Sequence, residues 1–374
     1  MSVLIRGSVH GVGSAQAAVF VQDGRIGWVG TGEPPQPADL ELLARPGELI
    51  APGFIDLQVN GFGSHDAASG PDAISAISRL LPAYGVTAFL PTAISRPLPE
   101  ARAFVEAVRH APSPGARVLG AHLEGPFLSP SFRGAHEARS LQNPTPARVD
   151  EVLACQPRMM TLAPELPGAL EAIAALHRAG VVVAAGHSGA DYDQGLGAIE
   201  AGVRFGTHLY NAMREFHHRR PGLVAALLMD PRITVGIIAD GEHLHDATCE
   251  QILQLKAPGH VALTTDQTAA AGAPAGRYRL GGQDVVSDGR AVRLEDGTLA
   301  GSAATMDELV RRMAQLPGMS LERAVSMAST SPAAVLGETD IGELRAGTRA
   351  DIVILDGEHR VRLTMVGGRV VFER

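Results

Sequence analysis

Glu124, His187, His208 and Asp266 are the residues of this chain whose types and settings best fit a reaction centre. Each closes a short apolar run: Arg117-Val118-Leu119-Gly120-Ala121-His122-Leu123-Glu124, Val181-Val182-Val183-Ala184-Ala185-Gly186-His187, Phe205-Gly206-Thr207-His208 and Val261-Ala262-Leu263-Thr264-Thr265-Asp266. One carboxylate and two imidazoles make a three-ligand set for a divalent ion, and a fourth position left to water makes such a site catalytic rather than structural. The ion acidifies that water and polarises a substrate carbonyl. A carboxylate outside the ligand set can take the water's proton and pass it to the leaving group, and Asp266 is the natural candidate. A lone histidine closing a strand is more often scaffolding than a ligand. Four such residues on one rim reverse that reading.

His122 stands two residues before Glu124, on the same side of its strand, and is expected to brace the ligands rather than bind the ion. Asp56, Gln58 and Asn60 alternate along an earlier apolar run and are expected to share one face. Neutral amides are poor zinc ligands beside imidazole, so Gln58 and Asn60 point to one divalent ion per subunit and not two. Arg214-Glu215-Phe216-His217-His218-Arg219-Arg220 is a basic stretch in an acidic chain, directly after the His208 run. A charge run is often just a solvated loop. Here an anionic substrate group, phosphate above all, would account for it, because arginine binds phosphate in a bidentate fashion. His243 and His245 follow the next apolar run and could serve the same anion.

These residues are far apart in sequence, so something must gather them. Eight short apolar runs, beginning at Phe54, Val86, Arg117, Met159, Val181, Phe205, Thr234 and Val261, alternate with helical patterns such as Asp72 to Tyr84, Glu100 to His110, Gly168 to Ala179 and Ala190 to Ala201. Eight buried strands alternating with helices predict a closed parallel (β/α)8 barrel, whose strand C-termini converge on one mouth. An open doubly wound sheet would carry a glycine fingerprint after its first strand, and none is present. The two ends of the chain read differently. Ala18-Val19-Phe20-Val21, Asp23-Gly24 and Ile26-Gly27-Trp28-Val29 form a hairpin pattern, and Asp351 to Leu355, Leu363 to Val366 and Arg369 to Phe372 are strand-like. The expected division is 1–50 plus 346–374 as a small β-sandwich domain and 51–345 as the barrel.

At 374 residues, 45% apolar and 19% charged, the chain has ample material for a large core. A net charge of −8 without a basic face argues against nucleic-acid binding. Cys155 and Cys249 are too few for a disulfide framework and suit a reducing compartment. Met1-Ser2-Val3-Leu4-Ile5-Arg6-Gly7 has no signal-peptide core, and no apolar run nears the roughly 20 residues needed to span a bilayer. The expectation is a cytoplasmic protein with no membrane partner.

Six motifs in order resemble those of the N-acetylglucosamine-6-phosphate deacetylases of the amidohydrolase superfamily. They are Pro52-Gly53-Phe54-Ile55-Asp56, His122-Leu123-Glu124-Gly125-Pro126-Phe127, Gly186-His187-Ser188, Thr207-His208-Leu209-Tyr210-Asn211-Ala212-Met213, Ala239-Asp240-Gly241-Glu242-His243 and Leu299-Ala300-Gly301-Ser302. Any one is weak; the ordered set is specific and covers the whole barrel. The resemblance implies Glu124, His187 and His208 as ligands of one metal, zinc first, with Fe2+, Co2+ or Mn2+ as alternatives. It implies Asp266 as general base and acid, and His136 beside the acyl oxygen. Ala135, Asn211, Ala212, Arg219, Asp240, His243, Leu299, Ala300 and Gly301 would contact a phosphorylated amino sugar. Gln58 and Asn60 match the single-metal branch, where other branches carry His-x-His. The family is usually a homodimer with part of the phosphate site near the subunit interface.

Two features depart from the family pattern. Gln267-Thr268 stands after Asp266 where the family typically shows Ala-Thr, which puts the shape of that loop in question. Arg219 and Arg220 are adjacent, and Arg219 is the expected phosphate contact because it stands two positions before Pro221-Gly222. Alternative readings are the same fold acting on N-acetylgalactosamine 6-phosphate or a cyclic amide, and a non-catalytic assembly protein of the same superfamily. The intact four-residue set argues against the last.

Overall fold

A computed structural model describes residues 2–14 and 16–374; Met1, which opens the N-terminal run quoted above, lies outside them. The barrel strands are β1 (Phe54–Val59), β2 (Val86–Ala93), β3 (His122–Glu124), β4 (Met159–Leu162), β5 (Val182–Ala185), β6 (Val203–Gly206), β7 (Thr234–Ile237) and β8 (Val261–Leu263). All neighbours pair in parallel, for example Leu123 with Met160, Met160 with Val183 and Val235 with Val261. The seam between β8 and β1 closes through a parallel bridge of Val59 with Gln267, and the N–H groups of Asn60 and Gly61 both donate to the Gln267 carbonyl. Gln267, the residue that departs from the family pattern, therefore closes the barrel with its backbone.

Burial explains the continuous apolar runs. Met160, Val183, Ala185, Val235 and Leu263 face the helices in one large core. Their alternates Met159, Ala184, Phe205 and Ala262 cluster inside with Ile55 and Leu57, against Ala333 and Leu336 of the helix Thr330–Leu336. Helix starts follow local chemistry as well. Tyr192–Ala201 begins with a reciprocal Asp191–Gln194 capping box, and Leu98–His110 carries proline in its first turn.

The third run is not one strand as expected. Arg117–Val118 and His122–Glu124 are separate pieces, broken around Gly120 at φ +129. A Cβ there would lie 2.6 Å from Arg158 Cβ, so only glycine allows this approach.

The chain ends build one separate eight-stranded sheet, as their pattern implied. Ser2–Val9 runs through both of its halves: Ser2 to Gly7 pair with Ala17 to Gln22, while Ser8 and Val9 pair with Leu49 and Ile50. The strand Ile352–Leu355 joins Leu49–Pro52, and Val3, Ile5, Val19, Ile50, Ile352 and Leu363 meet in a common apolar core. Absent from the sequence reading is a four-stranded antiparallel sheet after β8, made of Gly276–Leu280, Gln283–Ser287, Ala291–Arg293 and Leu299–Ser302. Among the described residues, no helix is long and apolar enough to cross a membrane.

Candidate active site

Glu124 ends β3 itself, whereas β5, β6 and β8 stop two or three residues short of His187, His208 and Asp266, and the backbone then turns sharply. His187, His208 and Asp266 have φ of +50°, +28° and +48°, a region that side-chain-bearing residues seldom occupy. Held there by the packed strands beneath, each side chain points into the mouth. Local strain of this kind persists where the surrounding structure over-determines it. The next loop carries two more such residues, Tyr210 and Ala212.

Glu124 is the hub. Its Oε1 lies 3.1 Å from His187 Nε2 and 2.9 Å from His208 Nε2, and those two nitrogens are 3.1 Å apart. Gln58 donates its amide to the same oxygen at 3.0 Å. His136 Nε2 lies 3.6 Å from Glu124 Oε2. Burial pushes the Glu124 carboxyl up, but the imidazoles of His136, His187 and His208 outweigh it and hold the group well below the usual range. Burial, with His136 beside it, takes His187 down to about 4. Burial also opposes charge on His208, but Glu124 overrides it and moves that group up.

This donor set fits a cation. His187 Nδ1 sits 3.0 Å from the Phe132 carbonyl and must donate to it, so Nε2 carries a lone pair. That lone pair faces a carboxylate oxygen at 3.1 Å, acceptor against acceptor, which only a positive charge between them reconciles. Glu124, His136 and His187 also offer ligand atoms within 4.8 Å of one another. His136 is nevertheless a poor ligand, because the Ser95 backbone N–H donates to its Nδ1 at 3.0 Å and leaves Nε2 as the protonated nitrogen. His122 uses both ring nitrogens below the site, on the Leu57 carbonyl and the Thr161 hydroxyl at 2.9 Å each, so it braces the mouth and does not line it.

Asp266 accepts from the Asn60 amide at 2.6 Å. Burial, reinforced by the nearby Glu124 charge, pushes its carboxyl up to about 7. Asp56 departs from the expected common face with Gln58 and Asn60. It turns to the seam, where Thr265 Oγ1 donates to it at 2.6 Å and Thr264 Oγ1 at 3.2 Å; a register shift between Asp56 and Val59 accompanies this.

A pocket of about 340 Å³ opens over these groups. Asn60, Glu124, Ala135, His136, His187, His208, Asn211, Ala212, His243, Asp266, Leu299 and Gly301 all line it. His243 is oriented by Asp240, Nδ1 to Oδ2 at 2.7 Å. Burial pushes the Asp240 carboxyl up, but His243 and two backbone N–H groups outweigh it and leave it lowered. Gly301, at φ +72, brings its strand so close that a Cβ would sit 2.6 Å from the Asp266 carbonyl oxygen. Gln58, Asp240 and Ala300 stand behind the wall, and Arg219 and Arg220 are exposed outside it; among the described residues, no lysine or arginine lines the pocket. Sequence reasoning missed Ile94, Ser131, Phe132, Leu280 and Thr298, which together with Gly134 complete the lining. The Gly281-Gly282 pair and the Asp288-Gly289 and Asp296-Gly297 turns were the available signal for the sheet that supplies Leu280 and Thr298.

Residues 49–371 match the model of the amidohydrolase family. The chain is 40% identical over 348 residues to N-acetylglucosamine-6-phosphate deacetylase of Bos taurus, spanning 87% of this chain and 84% of that protein. It is 36% identical over 343 residues to N-acetylgalactosamine-6-phosphate deacetylase of Escherichia coli O157:H7, spanning 90% and 91%. A solved structure of a mutant N-acetyl-D-glucosamine-6-phosphate deacetylase from Mycobacterium smegmatis, in complex with N-acetyl-D-glucosamine-6-phosphate, superimposes with a TM-score of 0.91. The two chains are 36% identical and each is covered to 99%. This chain belongs to the amidohydrolase family and, within it, to the N-acetylglucosamine-6-phosphate deacetylase group.

Proposed function

We propose that the protein hydrolyses N-acetyl-D-glucosamine 6-phosphate to D-glucosamine 6-phosphate and acetate. The observation that carries this reading is the convergence of Glu124, His187 and His208 beside a separate carboxylate, Asp266, and a separate imidazole donor, His136, around one pocket. Glu124, His187 and His208 would hold one divalent cation, zinc in our reading. When bound, that ion acidifies a water and polarises an acyl oxygen.

The chain's own groups do the rest. Asp266 takes a proton from the attacking water, whose oxygen bonds to the acetyl carbon. His136 donates from Nε2 to the acyl oxygen as negative charge develops there. Asp266 then returns the proton to the amide nitrogen as the C–N bond breaks, so one water is consumed and acetate and the free amine leave. Asn60 keeps the Asp266 carboxylate aimed by its amide bond. Asn211, the Ala212 backbone and His243 would hold the sugar and its phosphate. Since no lysine or arginine among the described residues lines the pocket, Arg219 is the candidate to complete the anion site from outside, in a homodimer in which a second subunit stands nearby.

The similarity to the N-acetylgalactosamine-6-phosphate deacetylase keeps the galacto epimer as a second substrate reading. One assay separates them: acetate release from N-acetylglucosamine 6-phosphate, from its galacto epimer and from the unphosphorylated sugar, with zinc added or chelated. Release that needs both the metal and the phosphate is expected, fastest with the gluco compound. No release from any of the three by metal-loaded protein would sink the reading.

A further inference from the structure

We propose that Ile94, Ala135, Leu280 and Leu299 form an acyl wall in this pocket, and that Ile94 and Leu280 limit the accepted acyl group to acetyl. The proposal rests on the deacetylase reading above.

An amide carbon carries three substituents: oxygen, nitrogen and the acyl chain. His136 and the cation claim the oxygen, and Asp266 must reach the nitrogen. The third direction is left for the methyl group. Ile94 directly precedes Ser95, whose N–H holds His136, and Ala135 directly precedes His136 itself. Both residues are thus chain neighbours of the groups that place the imidazole meeting the acyl oxygen, and both line the same pocket as that imidazole. Leu280 and Leu299 reach the same pocket from the sheet inserted after β8.

The pocket is divided accordingly. Ile94 and Ala135 follow β2 and β3, while the polar Asn211 and His243 follow β6 and β7, across the barrel. A sugar bearing hydroxyls and phosphate fits the second side, and a methyl group fits the first. The apolar side is also closed from behind. Ile94, Ala135 and Leu280 are 5%, 8% and 3% exposed and pack with Val285, Val292 and Ala300 in one cluster. A Cβ on Gly281 would fall 2.5 Å from Ile94 Cγ1, so Ile94 already touches the backbone turn that follows Leu280. Gln283 fixes that turn by donating its amide to the Ala135 carbonyl. A close-packed wall of this kind has no room for added methylenes without displacing its neighbours.

The test compares kcat/KM for N-acetyl-, N-propionyl- and N-butyrylglucosamine 6-phosphate in the zinc-loaded full-length protein. Wild type should lose about tenfold or more for each added methylene. Leu280→Ala and Ile94→Ala should each raise the butyryl-to-acetyl ratio by about tenfold. Leu280→Val should raise it less, in the same direction. The ratio is measured within one preparation, so a reduced folded fraction cancels. Val286→Ala, on the exposed side of the same inserted sheet, should leave the ratio unchanged. A wild type that cleaves all three equally, or a ratio unmoved in all the wall variants, overturns the wall and leaves the deacetylase reading standing. A wild type that releases no acetate overturns both.

Discussion

The backbone N–H of Ser95 donates to Nδ1 of His136 at 3.0 Å, and the Ser95 hydroxyl lies 2.8 Å from the same nitrogen. A backbone amide can only donate, so Nδ1 accepts and the proton of the neutral ring sits on Nε2. Three imidazoles surround Glu124, and this one bond separates their roles. His187 presents a lone pair at Nε2 because its Nδ1 donates to the Phe132 carbonyl; His136 presents a hydrogen. The first can ligate a cation, and the second can bind an oxyanion.

That separation predicts two different phenotypes. His136→Ala should lower kcat by about a hundredfold to a thousandfold, the cost of one oxyanion donor, while metal content stays near one per chain. His187→Ala should lose the metal itself. Elemental analysis of both variants beside their steady-state kinetics decides the matter. A His136 variant stripped of metal would show that its imidazole is a ligand after all.

Asp266 must be ionised to accept a proton, so activity should fall on the acid side as its carboxyl becomes protonated. Burial and the Glu124 charge bring that carboxyl to about 7; a bound cation beside it would favour the charged form and move the acid limb lower. Asn60 acts in the same direction, because its amide donates to the carboxylate at 2.6 Å. Removing it in Asn60→Ala should therefore shift the acid limb of log kcat/KM to higher pH. Asp266→Asn should abolish turnover at every pH with metal retained. An Asn60→Ala profile superimposed on that of wild type would mean that the amide does not tune the base.

The barrel and its rim were legible because β/α alternation and apolar runs ending in Glu124, His187, His208 and Asp266 are both local patterns. Periodicity also located the small sheet, although its strands lie some 300 residues apart in sequence, since each end alternates for burial on its own. What sequence could not give was direction after a strand ends. Asp56 follows the same alternation as Gln58 and Asn60, yet it serves the seam, because a register shift intervenes. Ser95 carried no signal, since its contribution to His136 includes a backbone N–H that every residue but proline possesses. The inserted sheet was hidden by polar, half-exposed strands such as Gly276–Leu280, whose alternation resembles that of a loop rich in charged residues.

Arg219 stands exposed outside the pocket and Arg220 beside it, so their substitution should leave the fold intact. If Arg219 completes the phosphate site, Arg219→Ala should raise KM for the phosphorylated substrate by about tenfold or more with kcat little changed. The same change at Arg220 should have a smaller effect. Reversal of that order would assign the contact to Arg220, and unchanged KM in both would place the phosphate elsewhere.

Asp56 joins the first strand to the last. Its carboxylate accepts from Thr265 Oγ1 at 2.6 Å, and from Thr264 Oγ1, the Thr265 N–H and the Gln58 N–H at 3.2 Å each, with the residue fully buried. Asp56→Ala leaves several of these donors unpaired and should destabilise the fold by about 2–4 kcal/mol in urea titrations. The linkage has a definite sign. Burial raises the Asp56 carboxyl from 3.8 to about 6, against the four donors that oppose the shift. Between those values the folded state binds more protons than the unfolded state, so this group's contribution to stability falls as pH rises from about 4 to about 6 and is flat above. Asp56→Asn, which cannot ionise, should lack that segment. Its stability relative to wild type should therefore improve as pH rises through the same window. A difference between the two proteins that does not vary with pH would mean that Asp56 keeps its ordinary affinity for the proton despite its burial.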